Sequence, residues 1–142
     1  MKSYFEKQTK ELYDRAIKII DITQMLKSNK KREKFHISTD EDFKKDFAEK
    51  FFKIIDKVNL SLMEDKENFY GYFLFQMGRE IRFDITSATS INFKEAKYVM
   101  YFNPIIFLEL NMEQMQSTIK HEILHVLSQH LIRLKINTAL WH

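Results

Sequence analysis

Only 2 glycines and 1 proline occur in 142 residues, and that scarcity limits the possible folds more than any other feature. Tight turns and left-handed positions draw on glycine, and chain reversals between short strands draw on both residues. A many-stranded all-β fold would need far more of them, so long helices are expected to dominate. The length suits one domain with a real core, and 13 Phe and 6 Tyr supply bulky material for it. There are no cysteines. That excludes a disulfide framework and a thiolate zinc knuckle, so any metal must be held by His, Asp or Glu.

The N-terminal stretch MKSYFEKQTKELYDR is charged throughout and has no apolar h-region, so no secretory leader is expected. No apolar run approaches the ~18 residues that span a bilayer. The expected location is cytoplasmic, with no membrane partner. Net charge is +3, and much of the excess comes from KSNKKREK, residues 27–34. Such a run reads either as a nucleic-acid or acidic-partner patch or as a solvated loop between helices. No aromatic interleaving or recognition-helix pattern accompanies it, so the solvated loop is favoured and a nucleic-acid partner is not expected.

Residues 4–27 read as a first helix, with Leu12, Ala16, Ile19, Ile20 and Thr23 at helical spacing. After the basic loop, Ser38 or Thr39 can cap a second helix. Asp40, Glu41 and Asp42 place negative charge in its first turn. Its apolar stripe is Phe43, Phe47, Phe51, Ile54, Ile55 and Val58, read as core. NFYGYFLFQM, residues 68–77, is apolar and aromatic, and periodicity alone does not decide between helix and strand. Residues 79–93 alternate Ile81, Phe83 and Ile85 with Arg82, Asp84 and Thr86, a strand pattern. KYVMYFN, residues 97–103, is a second, shorter strand, and FKEA between them suits a hairpin or a short meander. Asn103-Pro104 ends the strand and suits a helix start. Asn111 then reads as an N-cap with Gln114 at the capping-box position, and one helix runs to about Lys135. A single domain is expected over 1–142, helical in 1–67 and carrying sheet plus a long helix in 68–142.

That last helix contains KHEILHVLSQH, residues 120–130. At about 100° per residue, His125 lies about 40° from His121 and one turn along. Both imidazoles can therefore address one ion. Glu122 lies at about 100°, while Ile123, Leu124, Leu127, Leu131 and Leu134 fall between about 200° and 300°. The expectation is a site that faces away from the core stripe. This is the H-E-x-x-H arrangement. Two neutral imidazoles supply two of the tetrahedral positions of Zn2+, a third protein ligand is needed, and water takes the fourth. Zinc lowers the water's pKa and polarises the substrate carbonyl, while Glu122 serves as general base.

The third ligand is open. His130 falls at about 180° on the helix, facing away from the ion, with no Gly to end the helix before it. It is read as structural. His36 lies in a loop and is read as solvated. His142 or the terminal carboxylate could return to the metal through INTALWH.

From Asn68 onward the sequence resembles a family of bacterial and phage VWA-like metallopeptidases, close to the minigluzincins. The resemblance rests on an ordered set. NFYGYFLF matches the family's aromatic-Gly-aromatic segment, TSATS (86–90) its Ala-Thr strand, and YVMYFNP (98–104) its strand ending in Asn-Pro. NMEQMQSTIKHEILHVLSQHLIRLK (111–135) matches its active-site helix. The resemblance covers about half the chain. It implies an α+β, zincin-like fold with N-terminal helices, a small mainly antiparallel sheet and a long active-site helix near the C-terminus. It further implies His121 and His125 as zinc ligands, Glu122 as catalytic base, and Thr86–Ser90 as a cleft-lining edge strand that takes a peptide substrate by β-augmentation. Plain sheet structure is the alternative for that strand. In the family a Trp-containing stretch leads into a helix with an acidic third ligand; here INTALWH begins that stretch and the sequence stops. The resemblance thus implies either a shortened form or a protein without that helix. The expected partner is a peptide or protein substrate. The alternative is a weak or inactive scaffold that docks to a protein such as an AAA ATPase or VWA-type partner.

Overall fold

The computed structural model describes residues 3–28 and 37–141, with side chains for 3–20 and 41–129. Along the chain run α1 (Tyr4–Ser28), α2 (Ile37–Glu64), α3 (Phe69–Gln76), β1 (Gly78–Ile81), β2 (Thr89–Lys94), β3 (Lys97–Phe102), α4 (Pro104–Phe107) and α5 (Met112–Trp141). The fold is α+β, helical on both sides of a small sheet in sequence. The basic run falls largely on 29–36, outside the described residues, as does His36. The side chains of Ser38 and Thr39 are likewise outside them.

Amphipathic spacing explains the two long N-terminal helices. Leu12, Ala16 and Ile19 of α1 meet Phe47, Phe51, Ile54, Ile55 and Val58 of α2, all buried. Phe51 stands edge-on to Phe102 and Phe107, with ring centroids 5.9 and 6.0 Å away, which ties α2 to the sheet and to α4. Burying one such side chain is worth about 1.5–3 kcal/mol, so this shared cluster holds the layers together. The ambiguous segment 68–77 is helical. Tyr70, Gly71, Leu74 and Met77 are its buried positions, at spacings of one to four that one helix face and its C-cap accommodate.

The sheet has strand order β1-β3-β2. The expectation of a mainly antiparallel sheet holds on one side only. β2 pairs antiparallel with β3, from Thr89↔Phe102 to Lys94↔Lys97, but β1 pairs parallel with β3, from Gly78↔Val99 to Ile81↔Phe102. The middle strand is the apolar one, and Val99 to Phe102 are all buried.

The strand expected over 79–93 is broken in two. Its burial does alternate, with Ile81, Phe83 and Ile85 half-buried and Arg82, Asp84 and Thr86 exposed. Arg82 N still donates to Phe102 O (2.9 Å), but the backbone from 83 to 87 makes no ladder. Asn103 Nδ2 donates to the carbonyls of Phe83 (3.3 Å) and Ile85 (2.9 Å), and Asn103 N donates to Ala88 O (3.0 Å). Arg82 and Asp84 close the bend with a two-bond ion pair at 3.0 and 2.6 Å. The segment therefore crosses the end of β3 and delivers β2 to the far edge.

Candidate functional site

α5 begins where the sequence indicates. Asn111 Oδ1 accepts from Gln114 N (2.8 Å) and Gln114 Oε1 accepts from Asn111 N (2.9 Å), a reciprocal capping box. Its core line is Met115, Ile119 and Ile123, fully buried, with Leu127 half-buried. On the angular scale that sets His121 at zero, this line runs from about 120° to about 240°. Among the described residues that departs from the expected stripe at Leu124, which the sequence places in it and which is 51% exposed. The contact face is rotated toward Met115 because α5 packs on α2 through polar groups at its flank. Gln116 bonds to Ser61, and Lys120 Nζ donates to Asp65 Oδ2 at 2.9 Å. Lys120 also lies over the Tyr70 ring, 5.8 Å from its centroid.

With that seam fixing the helix rotation, His121 and His125 are exposed and Glu122 is half-buried. His121 and Glu122 line an open groove of about 530 Å3 with Ser117 and Thr118, one turn earlier on α5, and with Ser87, Ala88 and Thr89 across it. The opposite wall is thus the end of the pinned crossing and the first residue of the edge strand β2. The TSATS stretch does border the groove, though only Thr89 and Ser90 of it belong to a strand. Ser117 and Thr118 are groove residues that the motif does not flag; their positions four and three before His121 on one helix are the signal that places them there.

His125 lies one turn beyond the groove lining. Its Nε2 is 3.2 Å from Gln129 Nε2. If the Gln129 amide donates here, the bond occupies this ring nitrogen's lone pair, and a metal bound at Nε2 would have to displace Gln129. His121 and His125 stand one turn apart on an exposed flank of α5. Among the described residues no group of three His, Cys, Asp or Glu converges as a metal site. The other positions considered for a third ligand, the side chain of His130 and all of His142, lie outside the described side chains.

No helix among the described residues is long and apolar enough to cross a membrane. Comparison with family models, with curated proteins and with solved structures finds no match for the chain, so the reading of this site rests on its own geometry.

Proposed function

We propose that the chain is a zinc-dependent peptidase domain of zincin type, in which His121 and His125 hold the metal and Glu122 is the general base. One observation carries the reading. The H-E-x-x-H helix is rotated so that His121 and Glu122 face a groove whose other wall leads into an edge strand. An extended peptide lying along that edge would bring a backbone carbonyl over the helix. Zinc, when bound, supplies Lewis acidity and lowers the pKa of a water at the site. Glu122 takes a proton from the attacking water as its oxygen adds to the peptide carbon. It returns that proton to the amine as the C–N bond breaks. α5 runs on to Trp141, 16 residues and about 24 Å along the helix from His125, so INTALW does not turn back to the ion and the remaining protein ligand comes from elsewhere.

A second reading has its own support. The described residues hold no group of three or more metal donors, and α3 turns Phe69, Tyr72 and Phe75 to solvent. Both features suit an inactive scaffold that docks to a protein partner such as an AAA ATPase.

The deciding measurement is zinc per chain by elemental analysis, after purification without chelator or metal-affinity resin, with His125→Ala alongside. Near-stoichiometric zinc that is lost in the variant supports the peptidase. Little zinc in both leaves the scaffold reading. In the zinc-bearing protein, Glu122→Gln should retain metal and lose about 10²–10⁴-fold in peptide cleavage. Unchanged cleavage would remove Glu122 from the mechanism.

A further inference from the structure

α1 and α2 run antiparallel, and two side-chain bridges cross between them. Arg15 donates to Asp46 Oδ2 at 2.6 Å, and Lys57 Nζ donates to Gln8 Oε1 at 2.6 Å. Along these bridges, and past the Gln8 bridge to Lys7 and Tyr4, runs a second groove of about 480 Å3, which shares no residue with the groove at His121. At 1.5 Å per helical residue the bridges stand about 10 Å apart along α1 and about 16 Å apart along α2.

The floor is Leu12 and Ile54, already sealed at 5% and 2% exposure by packing of the two helices. The rim is cationic, with five basic side chains against the single carboxylate of Glu11. Their compensation is uneven. Arg15 and Lys50 share Asp46, at 2.6 and 3.2 Å. Among the described residues Lys57 has only neutral partners, the Gln8 amide and the Tyr4 ring 5.2 Å from its Nζ. Lys7 and Lys53 have no side-chain partner among the described residues. Cations left over on a groove of this size are available to an anionic ligand, and their aliphatic stems offer it apolar contact.

We infer that this groove docks an acidic peptide segment of a protein partner. The spacing of the bridges matches about four extended residues at about 3.3 Å each, enough to bring two or three carboxylates to Lys7, Lys53 and Lys57. A single nucleic-acid strand is the poorer match. Such strands are held by successive aromatic platforms, and Tyr4 is the one aromatic in this lining.

Fluorescence anisotropy with a dye-labelled peptide of alternating Glu and Leu tests the inference. Binding should weaken about tenfold or more in Lys7→Glu/Lys53→Glu, with an intermediate loss in Lys7→Gln/Lys53→Gln. The control Lys94→Glu/Lys97→Glu, on the β2–β3 hairpin, should change affinity less than about twofold, because those lysines lie outside the groove. Raising salt should weaken the wild type, and the same peptide with Gln for Glu should not bind. The inference is overturned if the Glu peptide does not bind, if the Gln peptide binds equally, or if the Lys7/Lys53 variants bind like wild type. It is also overturned if an oligothymidylate displaces the peptide and loses as much affinity in the same variants, which would make this a nucleic-acid surface.

Discussion

A methyl group at Gly71 would lie 2.7 Å from Met63 Cγ, 2.9 Å from Met63 N and 3.1 Å from Asn59 O. Two of these three atoms are backbone, so α3 would have to lift from α2. Alanine in a helix gains about 0.5–1 kcal/mol over glycine, whereas overpacking costs about 1–3 kcal/mol. Gly71→Ala is therefore expected to destabilise by about 1–2 kcal/mol, read as a lower urea midpoint with unchanged slope. A raised midpoint would show that α3 yields without cost. Asn103 is the other residue with little freedom: its Oδ1 caps α4 by accepting from Ile105 N at 3.1 Å, and its amide nitrogen holds the crossing. The placement of the motif was legible at this scale: angular arithmetic puts His121, Glu122 and His125 off the core line, and the two imidazoles are exposed with Glu122 half-buried. Leu124 was misplaced because a helix's rotation against its neighbours depends on contacts such as Lys120–Asp65, made with a residue far away in sequence.

At the scale of elements, the scarcity of glycine shows its cost at the β2–β3 turn. Glu95 and Ala96 form a two-residue hairpin loop with φ of 54° and 61°. Left-handed backbone costs a side-chain-bearing residue about 1–2 kcal/mol, and Asn-Gly is the pair suited to it. Glu95→Asn/Ala96→Gly should stabilise the protein by about 1 kcal/mol, after the greater chain entropy of glycine is subtracted. Chemical denaturation checks this, and no gain would mean that the strain is relieved elsewhere. The sequence marked this hairpin, since FKEA separates two apolar runs. It did not reveal the break at Arg82. Burial alternates through residues 81–86 as in a strand, while the carbonyls of Phe83 and Ile85 go to a side chain 20 and 18 residues away. Periodicity reports which way side chains point, not where backbone hydrogen bonds end.

At the scale of the whole molecule, three ion pairs tie distant or bent segments together and set a response to acid. The Arg15 guanidinium bonded to Asp46, the Lys120 ammonium bonded to Asp65 and the Arg82 guanidinium bonded to Asp84 each hold a carboxyl below its ordinary range. A carboxyl lowered by folding contributes stability above its unfolded pKa, and that contribution is lost as pH falls through the folded value. Melting temperature should therefore fall below about pH 4, and Asp46→Asn/Asp65→Asn should flatten that fall in a series of thermal melts followed by circular dichroism. An unchanged acid limb would mean that these pairs contribute nothing measurable, the common fate of exposed pairs. Charge placement was only partly legible from sequence. The run at 27–34 drew attention, yet the cationic groove among the described residues is built from lysines spaced along two helices some 40 positions apart in sequence. The small sheet bears on how copies of the molecule meet. Its two outer strands present rows of backbone groups that could template a neighbouring chain. Exposed Arg79 and Glu80 stand on β1, and exposed Lys94 faces Lys97 across the hairpin tip. Edge-to-edge aggregation would have to bury those charges, so the like-charged pair that weakens the tip also shields it. The shielding stops short of the groove. Thr89, Ser90 and Ile91 carry no charge, but Thr89 is buried and its carbonyl accepts from Ser87 Oγ at 2.7 Å, so a visiting strand would have to share that carbonyl with Ser87.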